Sequence, residues 1–239
     1  MREKPKIGME VDDPILSDIL QWDVRSWFPA LKYWEASINW DVPKKTLELG
    51  AREGGLALWT ALNGADSTCS DRGNAETVAR PLHEAHGVAD AMTYLNIDAT
   101  DIPFENEFDL IMFKSIIGGV GYGNRKDRQH QVFRQIHKAL KPGGKLLFAE
   151  NLAASPLHRF LRKRFVKWGD DWRYVTVADI REFTSEFAKT EIKTTGVAAA
   201  FGRKEQQRSM LAKLDGVFLT AVCPPQWRYI AYGIAEKAV

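Results

Sequence analysis

The chain has 239 residues, 45% of them apolar and 27% charged. That length suits one α/β domain with a well-buried core, in the composition range of ordinary globular proteins. A formal charge of +2 excludes a globally polycationic nucleic-acid binder and leaves any electrostatic partner to local clusters. The two cysteines, Cys69 and Cys223, stand far apart without CxxC spacing or a histidine pattern, so neither a metal site nor a disulfide framework is expected. Cys69 lies in a strand-like run and reads as a buried packing residue.

The opening MREKPKIGMEVDDP holds no apolar run of signal type. No stretch approaches the roughly 20 apolar residues of a spanning helix, so the chain reads as cytoplasmic. Residues 1–42 read as a helical N-terminal cap, with Ile15, Ile19, Leu20, Trp27, Leu31 and Trp34 at helical spacing and Pro29 near a helix start or break. The remainder, 43–239, alternates strand and helix. Thr46–Gly50 is a short strand, and Leu56, Trp59 and Leu62 then mark a helix. Strands are predicted over Ala65–Asp71, Ala91–Asp98, Asp109–Ile116 and Lys145–Leu152. Ala75–His86 is a helix closed by Gly87. Asn124 is a candidate cap for the helix carrying Val132, Phe133, Ile136 and Leu140, which Pro142-Gly143-Gly144 stops. The nearly continuous apolar run DLIMFKSI is the pattern of a parallel strand buried on both faces. A helix over Val177–Phe187, capped by Thr176 with Asp179, precedes strands over Glu191–Val197 and Trp227–Glu236, with a helical insert over 203–222 between them. Such alternation predicts a doubly wound, mostly parallel seven-stranded α/β sheet with helices on both faces and one antiparallel edge strand.

The stretch Leu47 to Gly55, LELGAREGG, leaves a strand and opens a helix. Glycines there let the backbone turn sharply and approach a ligand. Asp71 follows about 20 residues on, where a doubly wound nucleotide site binds a ribose diol. Glu48 and Gly50, Asp71, Asp98, and Lys114 with Ser115 all fall at predicted strand ends, so four strand ends bring polar groups to one crevice. GxxxGG departs from the GxGxxG of nicotinamide dehydrogenases.

These segments resemble the class I S-adenosylmethionine-dependent methyltransferases. Leu47-Glu48-Leu49-Gly50 with Gly54 is similar to the family's first motif, and Asp71 to its ribose-binding acid. Asn96-Ile97-Asp98-Ala99 with Ile102-Pro103-Phe104 resembles the adenine-edge segment. Phe108 to Ile111 resembles the fourth strand, and Leu140 to Leu146 the approach to the fifth. The resemblance implies S-adenosylmethionine as cofactor and S-adenosylhomocysteine as product. It implies a cofactor set of Glu48, Gly50, Arg52, Gly54, Asp71, Arg72, Asp98, Ala99, Lys114 and Ser115. Arg52 replaces the motif's middle glycine. A side chain there is expected to avoid positive φ, and to lie beside the cofactor carboxylate or point to solvent.

The sulfonium is already electrophilic, so the protein has mainly to align the acceptor and exclude water. An oxygen acceptor also needs a base. His158, just after the fifth strand, is the first candidate and Glu150 the second. His130 and His137 read as surface histidines. Lys114-Ser115-Ile116-Ile117-Gly118-Gly119 stands where family members that methylate the amino group of adenine or glutamine commonly carry an Asn/Asp-Pro-Pro-aromatic segment, which argues against an exocyclic amide or base-amine substrate without establishing an oxygen acceptor.

Residues 155–175 form a basic lid segment. Leu157, Leu161, Phe165 and Trp168 recur at helical spacing among Arg159, Arg162, Lys163, Arg164 and Lys167. Such a helix either packs its apolar stripe on the core or meets an anionic group. The second option allows peripheral contact of 155–170 with the inner membrane face, or a phosphorylated or lipid-linked sugar as acceptor. Trp172, Arg173 and Tyr174, with Trp27, Tyr33 and Trp34, are candidates to cover the crevice. The expected reaction is O-methylation of a small-molecule or glycan acceptor. A nucleic-acid methyltransferase holding phosphates on 155–170, and a silent cofactor-binding subunit, are the alternatives. The near-neutral charge disfavours the first of these.

Overall fold

A computed structural model describes residues 10–165, 172–202 and 204–239. Seven strands, β1 (Lys45–Leu49), β2 (Asp66–Asp71), β3 (Met92–Asn96), β4 (Phe108–Lys114), β5 (Leu140–Asn151), β6 (Lys189–Thr195) and β7 (Ile230–Glu236), form one sheet in the order β3-β2-β1-β4-β5-β7-β6. β1 to β5 are mutually parallel, while β7 runs antiparallel to both β5 and β6. The reversed strand therefore lies one place in from the margin, which β6 occupies. The order turns back between β1 and β4. A topological switch point of this kind opens a crevice outside the carboxyl ends of the strands.

Alternation along the central strands divides the core. Leu110 and Met112 of β4 and Leu147 and Ala149 of β5 join one apolar cluster. Ile111, Phe113, Leu146 and Phe148 join the other. The first cluster is covered by α1 (Ile15–Leu20), α2 (Val24–Ser37) and α3 (Gly55–Leu62). Beyond α4 (Ala75–Ala85) and α5 (Ile117–Val120), the second is covered by α6 (Lys126–Ala139) and α8 (Val177–Phe183), with α7 (Pro156–Phe165) between them in the chain. The insert is α9 (Glu205–Leu214), a π turn (Asp215–Leu219) and α10 (Thr220–Val222) in continuous succession.

Several local expectations change. Pro29 sits inside α2, where one missing N–H is outweighed by burial of Trp27, Ala30, Leu31 and Trp34. Asn124 adopts φ 62° and is not the cap; α6 begins two residues later. Leu140 starts β5 instead of ending α6, because it pairs with Phe108 before the register shifts at Pro142-Gly143-Gly144. Thr176 and Asp179 do form a reciprocal capping box at α8. His130 and His137 face Phe183 and Phe187, half-buried against α8 and its exit. Cys69 is fully buried, which raises its thiol pKa.

Candidate functional site

The loop after β1 turns through three left-handed residues, Gly50 (φ 61°), Arg52 (φ 52°) and Gly54 (φ 80°). Arg52 thus takes the positive φ it was expected to avoid. Its amide N–H donates to Asp71 Oδ2 at 2.9 Å, which ties the loop to the end of β2 and offsets the strain. The side chain is largely exposed, 3.8 Å from Glu53, with its guanidinium over the Trp22 ring. Gly54 is required by packing: a Cβ there would lie 2.6 Å from the His83 ring.

Glu48 points away from the crevice. Its carboxyl accepts the N–H groups of Leu56 (3.3 Å) and Ala57 (2.7 Å), two orphan donors in the first turn of α3. Complete burial pushes its pKa up to about 8. Asp71 accepts one backbone N–H on each oxygen, from Arg52 and Arg72. A Cβ on the nearby Gly73 would meet no atom within 4 Å, so the ground beside Asp71 is open. Asp98 turns one oxygen onto Thr100, accepting from its N–H and hydroxyl, and leaves the other facing Arg72 and Arg128 at 3.9 and 3.8 Å. The two hydrogen bonds from Thr100, one backbone and one hydroxyl, and those arginines hold it below the usual carboxylate range despite partial burial. Ala99 is buried in the core beside it.

At the switch point a cavity of about 540 Å³ opens. Gly50, Arg52, Lys114, Ser115, Ile116 and Asn151 line it from the strand ends, and Trp22, Asp23 and Trp27 from the N-terminal helices. Arg162 of α7, Trp172, Tyr174, Ala200, Arg208 and Tyr229 complete the wall. Ser115, at φ 60°, is held by Asn151, whose side-chain amide donates to its Oγ at 2.6 Å. Of the expected covering aromatics, Trp27, Trp172 and Tyr174 reach the cavity. Tyr33 and Trp34 do not: Tyr33 donates to Glu191 and Trp34 Nε1 donates to the Gly233 carbonyl.

Three lining residues carry buried nitrogens with no hydrogen-bond partner among the described residues: Lys114 Nζ, Trp27 Nε1 and Trp172 Nε1. Unmade hydrogen bonds of this kind cost free energy unless a ligand completes them. Lys114 is buried, with Nζ over the Trp22 and Trp27 rings, and desolvation lowers its pKa well below the ordinary lysine value. Asp23, also buried, accepts from Ser26 Oγ (2.7 Å) and from the Tyr229 hydroxyl (3.0 Å). Burial raises both the Asp23 and the Tyr229 pKa.

Neither expected base reaches this cavity. His158 has both ring nitrogens engaged, Nδ1 with Ser155 Oγ (2.7 Å) and Nε2 with the Val197 carbonyl (2.8 Å), and it stacks on Phe201. Glu150 accepts the N–H groups of Ile117 (2.7 Å) and Asn151 (2.8 Å), with its pKa pushed up to about 7 by burial. The lid helix is also rotated from its expected setting. His158 and Arg162, four apart, face inward, whereas Leu157 is exposed. Arg162 donates to the Leu152 carbonyl and lies 4.1 Å over the Tyr174 ring. Lys167 and Trp168 lie outside the described residues. The sequence reading missed Trp22, Asp23, Asn151, Arg208 and Tyr229, which carry no motif and meet only through the fold.

These residues fit an adenosyl cofactor at the β1–β2 side: a carboxylate with free acceptor capacity, open space beside it, and a tight loop whose Gly50 borders the cavity. The adjoining cavity offers donors and aromatic walls to a second molecule.

A methyltransferase-domain family model matches residues 47–148. No curated protein sequence matches the chain. Among solved structures, the fold is similar to phosphoethanolamine N-methyltransferase 2 of Haemonchus contortus in complex with phosphomonomethylethanolamine and S-adenosylhomocysteine. The two share 20% identity at a TM-score of 0.61, over 89% of this chain and 53% of that one, so this chain spans about half its length. An S-adenosylmethionine-dependent methyltransferase of Thermotoga maritima matches at 15% identity and TM-score 0.60, over 90% of this chain and 91% of that one. The YcgJ protein of Bacillus subtilis matches at 14% identity and TM-score 0.61, over 88% and 99%.

Proposed function

We propose that the chain, whose residues 47–148 match a methyltransferase-domain family model, is a class I S-adenosylmethionine-dependent methyltransferase and that it methylates a hydroxyl of a small, anionic, oxygen-rich acceptor, best met by a phosphorylated or lipid-linked sugar. The observation that carries this reading is the cavity wall, where the Lys114 amine stands with Arg162 and Arg208 among the rings of Trp22, Trp27, Trp172 and Tyr174. Arginines match phosphate or carboxylate geometry, and flat aromatic faces suit a sugar ring.

When bound, the cofactor supplies a methyl group made electrophilic by its sulfonium. Asp71 holds the ribose, and Gly50 lets the loop approach the cofactor's other end. Lys114, whose burial lowers its pKa well below the ordinary lysine value, accepts the hydroxyl proton as the acceptor oxygen attacks. Arg162 and Arg208 orient the anionic group, and Trp22, Trp27 and Trp172 exclude water.

The test is release of S-adenosylhomocysteine, with mass spectrometry of the product, over sugar phosphates, nucleotide-linked sugars and a glycolipid extract. Phosphoethanolamine and histamine serve as amine comparisons. A methyl ether as product is expected. Turnover confined to the amines would overturn the reading.

A further inference from the structure

We infer that the face built by α7, the Ala199–Phe201 turn and the α9–α10 helix docks on an anionic lipid surface. This goes beyond the acceptor reading, and its test involves no turnover.

The three elements are joined. His158 of α7 stacks on Phe201 and bonds the Val197 carbonyl. Asp215 accepts the N–H groups of Val197, Ala198 and Ala199, and Arg208 donates to the Gly202 carbonyl. Outward, they leave large apolar side chains in water. Met210, Leu214, Phe218 and Val222 recur every four residues along the insert helix, Val217 beside them is 85% exposed, and Phe160 of α7 is 66% exposed. The opposite side of the insert helix buries Ala212 and Asp215, so the helix has one satisfied face and one unpartnered face. A stripe of this length on an otherwise charged surface marks an interaction site.

Charge selects the occupant. Ser155 to Phe165 contains the exposed cations Arg159, Lys163 and Arg164, with Arg162 turned inward, and no acid. The insert helix has two acids, and both serve internally: Asp215 as above, and Glu205 by accepting the N–H groups of Asp23 and Val24. Lys213 and Lys204 are exposed. An apolar stripe flanked by cations is the composition of helices that lie in an anionic interface. A second copy fits poorly, since a two-fold contact would set the same cations against each other. Arg162, Ala200 and Arg208, from these same elements, line the cavity, so docking brings the cavity wall to the membrane, where a lipid-linked acceptor resides.

The full chain is sedimented with vesicles of phosphatidylcholine alone and of phosphatidylcholine with phosphatidylglycerol. We expect binding to the anionic vesicles only, weakened by salt. A Val217→Asp/Phe218→Asp variant and an Arg159→Glu/Lys213→Glu variant should each lose at least about tenfold in affinity, while calorimetric S-adenosylmethionine binding stays unchanged and shows the site intact. The inference fails if neither vesicle binds, or if both variants bind as the parent does. It also fails if light scattering finds a dimer that Val217→Asp/Phe218→Asp dissociates. Failure to find an acceptor leaves this result standing, and the reverse holds too.

Discussion

Lys114 Nζ lies 2.9 Å from the centroid of the Trp22 ring and 5.0 Å from that of Trp27, at the carboxyl end of β4. The indole faces attract a cation, but no hydrogen bond among the described residues compensates for desolvation, and the amine is pushed well below its usual range. Burial that disfavours the charged amine suits this position to proton abstraction. Lys114→Met should lower kcat by about 10²–10⁴-fold, the usual contribution of a positioned base, and abolish the acidic limb of the pH–rate profile. Lys114→Arg should not restore it, because a guanidinium stays protonated. Calorimetry should show cofactor affinity nearly unchanged in both variants; joint loss of cofactor binding would move Lys114 out of the proton-transfer role.

Asp71 carries the cofactor claim. Its Oδ2 fixes the Arg52 amide and its Oδ1 the Arg72 amide, leaving lone pairs for a diol. Hydrogen bonds to a charged group are worth about 1.5–3 kcal/mol. Asp71→Ala should therefore weaken S-adenosylmethionine binding by roughly 10- to 100-fold, read by calorimetry. Glu53→Ala, beside Arg52 in the loop between β1 and α3, should leave it unchanged. Equal affinities for Asp71→Ala and the parent would place the ribose elsewhere.

Elements with one strong local cause were legible in the sequence. The run DLIMFKSI reads as a doubly buried strand because Leu110 and Met112 feed one core cluster and Ile111 and Phe113 the other. Thr176 with Asp179 reads as a helix start because the reciprocal bonds involve neighbours only. The turn after β1 and the acid ending β2 were legible for the same reason, since they lie on consecutive βα units. The acceptor side was not. Asp23 meets Tyr229, more than two hundred positions away in the chain, and no periodicity encodes such a meeting. Helix α7 shows the limit most clearly. Its apolar spacing left open whether the Leu157 stripe packs on the core; in the structure Arg162 takes the inner position, held by the Leu152 carbonyl and the Tyr174 ring. Glu48 was assigned to the cofactor by its place at a strand end, but the open N–H groups of α3 claim it.

The left-handed Arg52 sets a stability test. A non-glycine at φ 52° costs about 1–2 kcal/mol in the folded state, and glycine loses roughly 0.5–1 kcal/mol through greater unfolded-state freedom. Arg52→Gly should therefore be neutral or slightly stabilising in urea denaturation. Arg52→Val, whose β-branch resists this conformation, should destabilise. If glycine and valine prove equally costly, lost Arg52 side-chain contacts dominate and backbone strain is minor.

Glu48 gives a pH dependence of defined sign. Burial raises its folded-state pKa from 4.5 to about 8, with Asp71 adding to the rise and Lys114 and the two α3 amides opposing it. The folded protein therefore retains a proton that the unfolded chain releases above pH 4.5. The associated stability is complete below that value and drains away as pH climbs to about 8, by at most about 1.4 kcal/mol per pH unit. Glu150, with its pKa raised to about 7, adds a parallel loss over a shorter window. Glu48→Gln keeps an acceptor for the Ala57 amide but cannot ionise. Its stability relative to the parent should rise steadily from about pH 5 and level off above about pH 8, measured by urea unfolding at several pH values. A constant difference across that range would mean that Glu48 is ionised in the folded state, in which case the α3 amides and Lys114 together outweigh its burial.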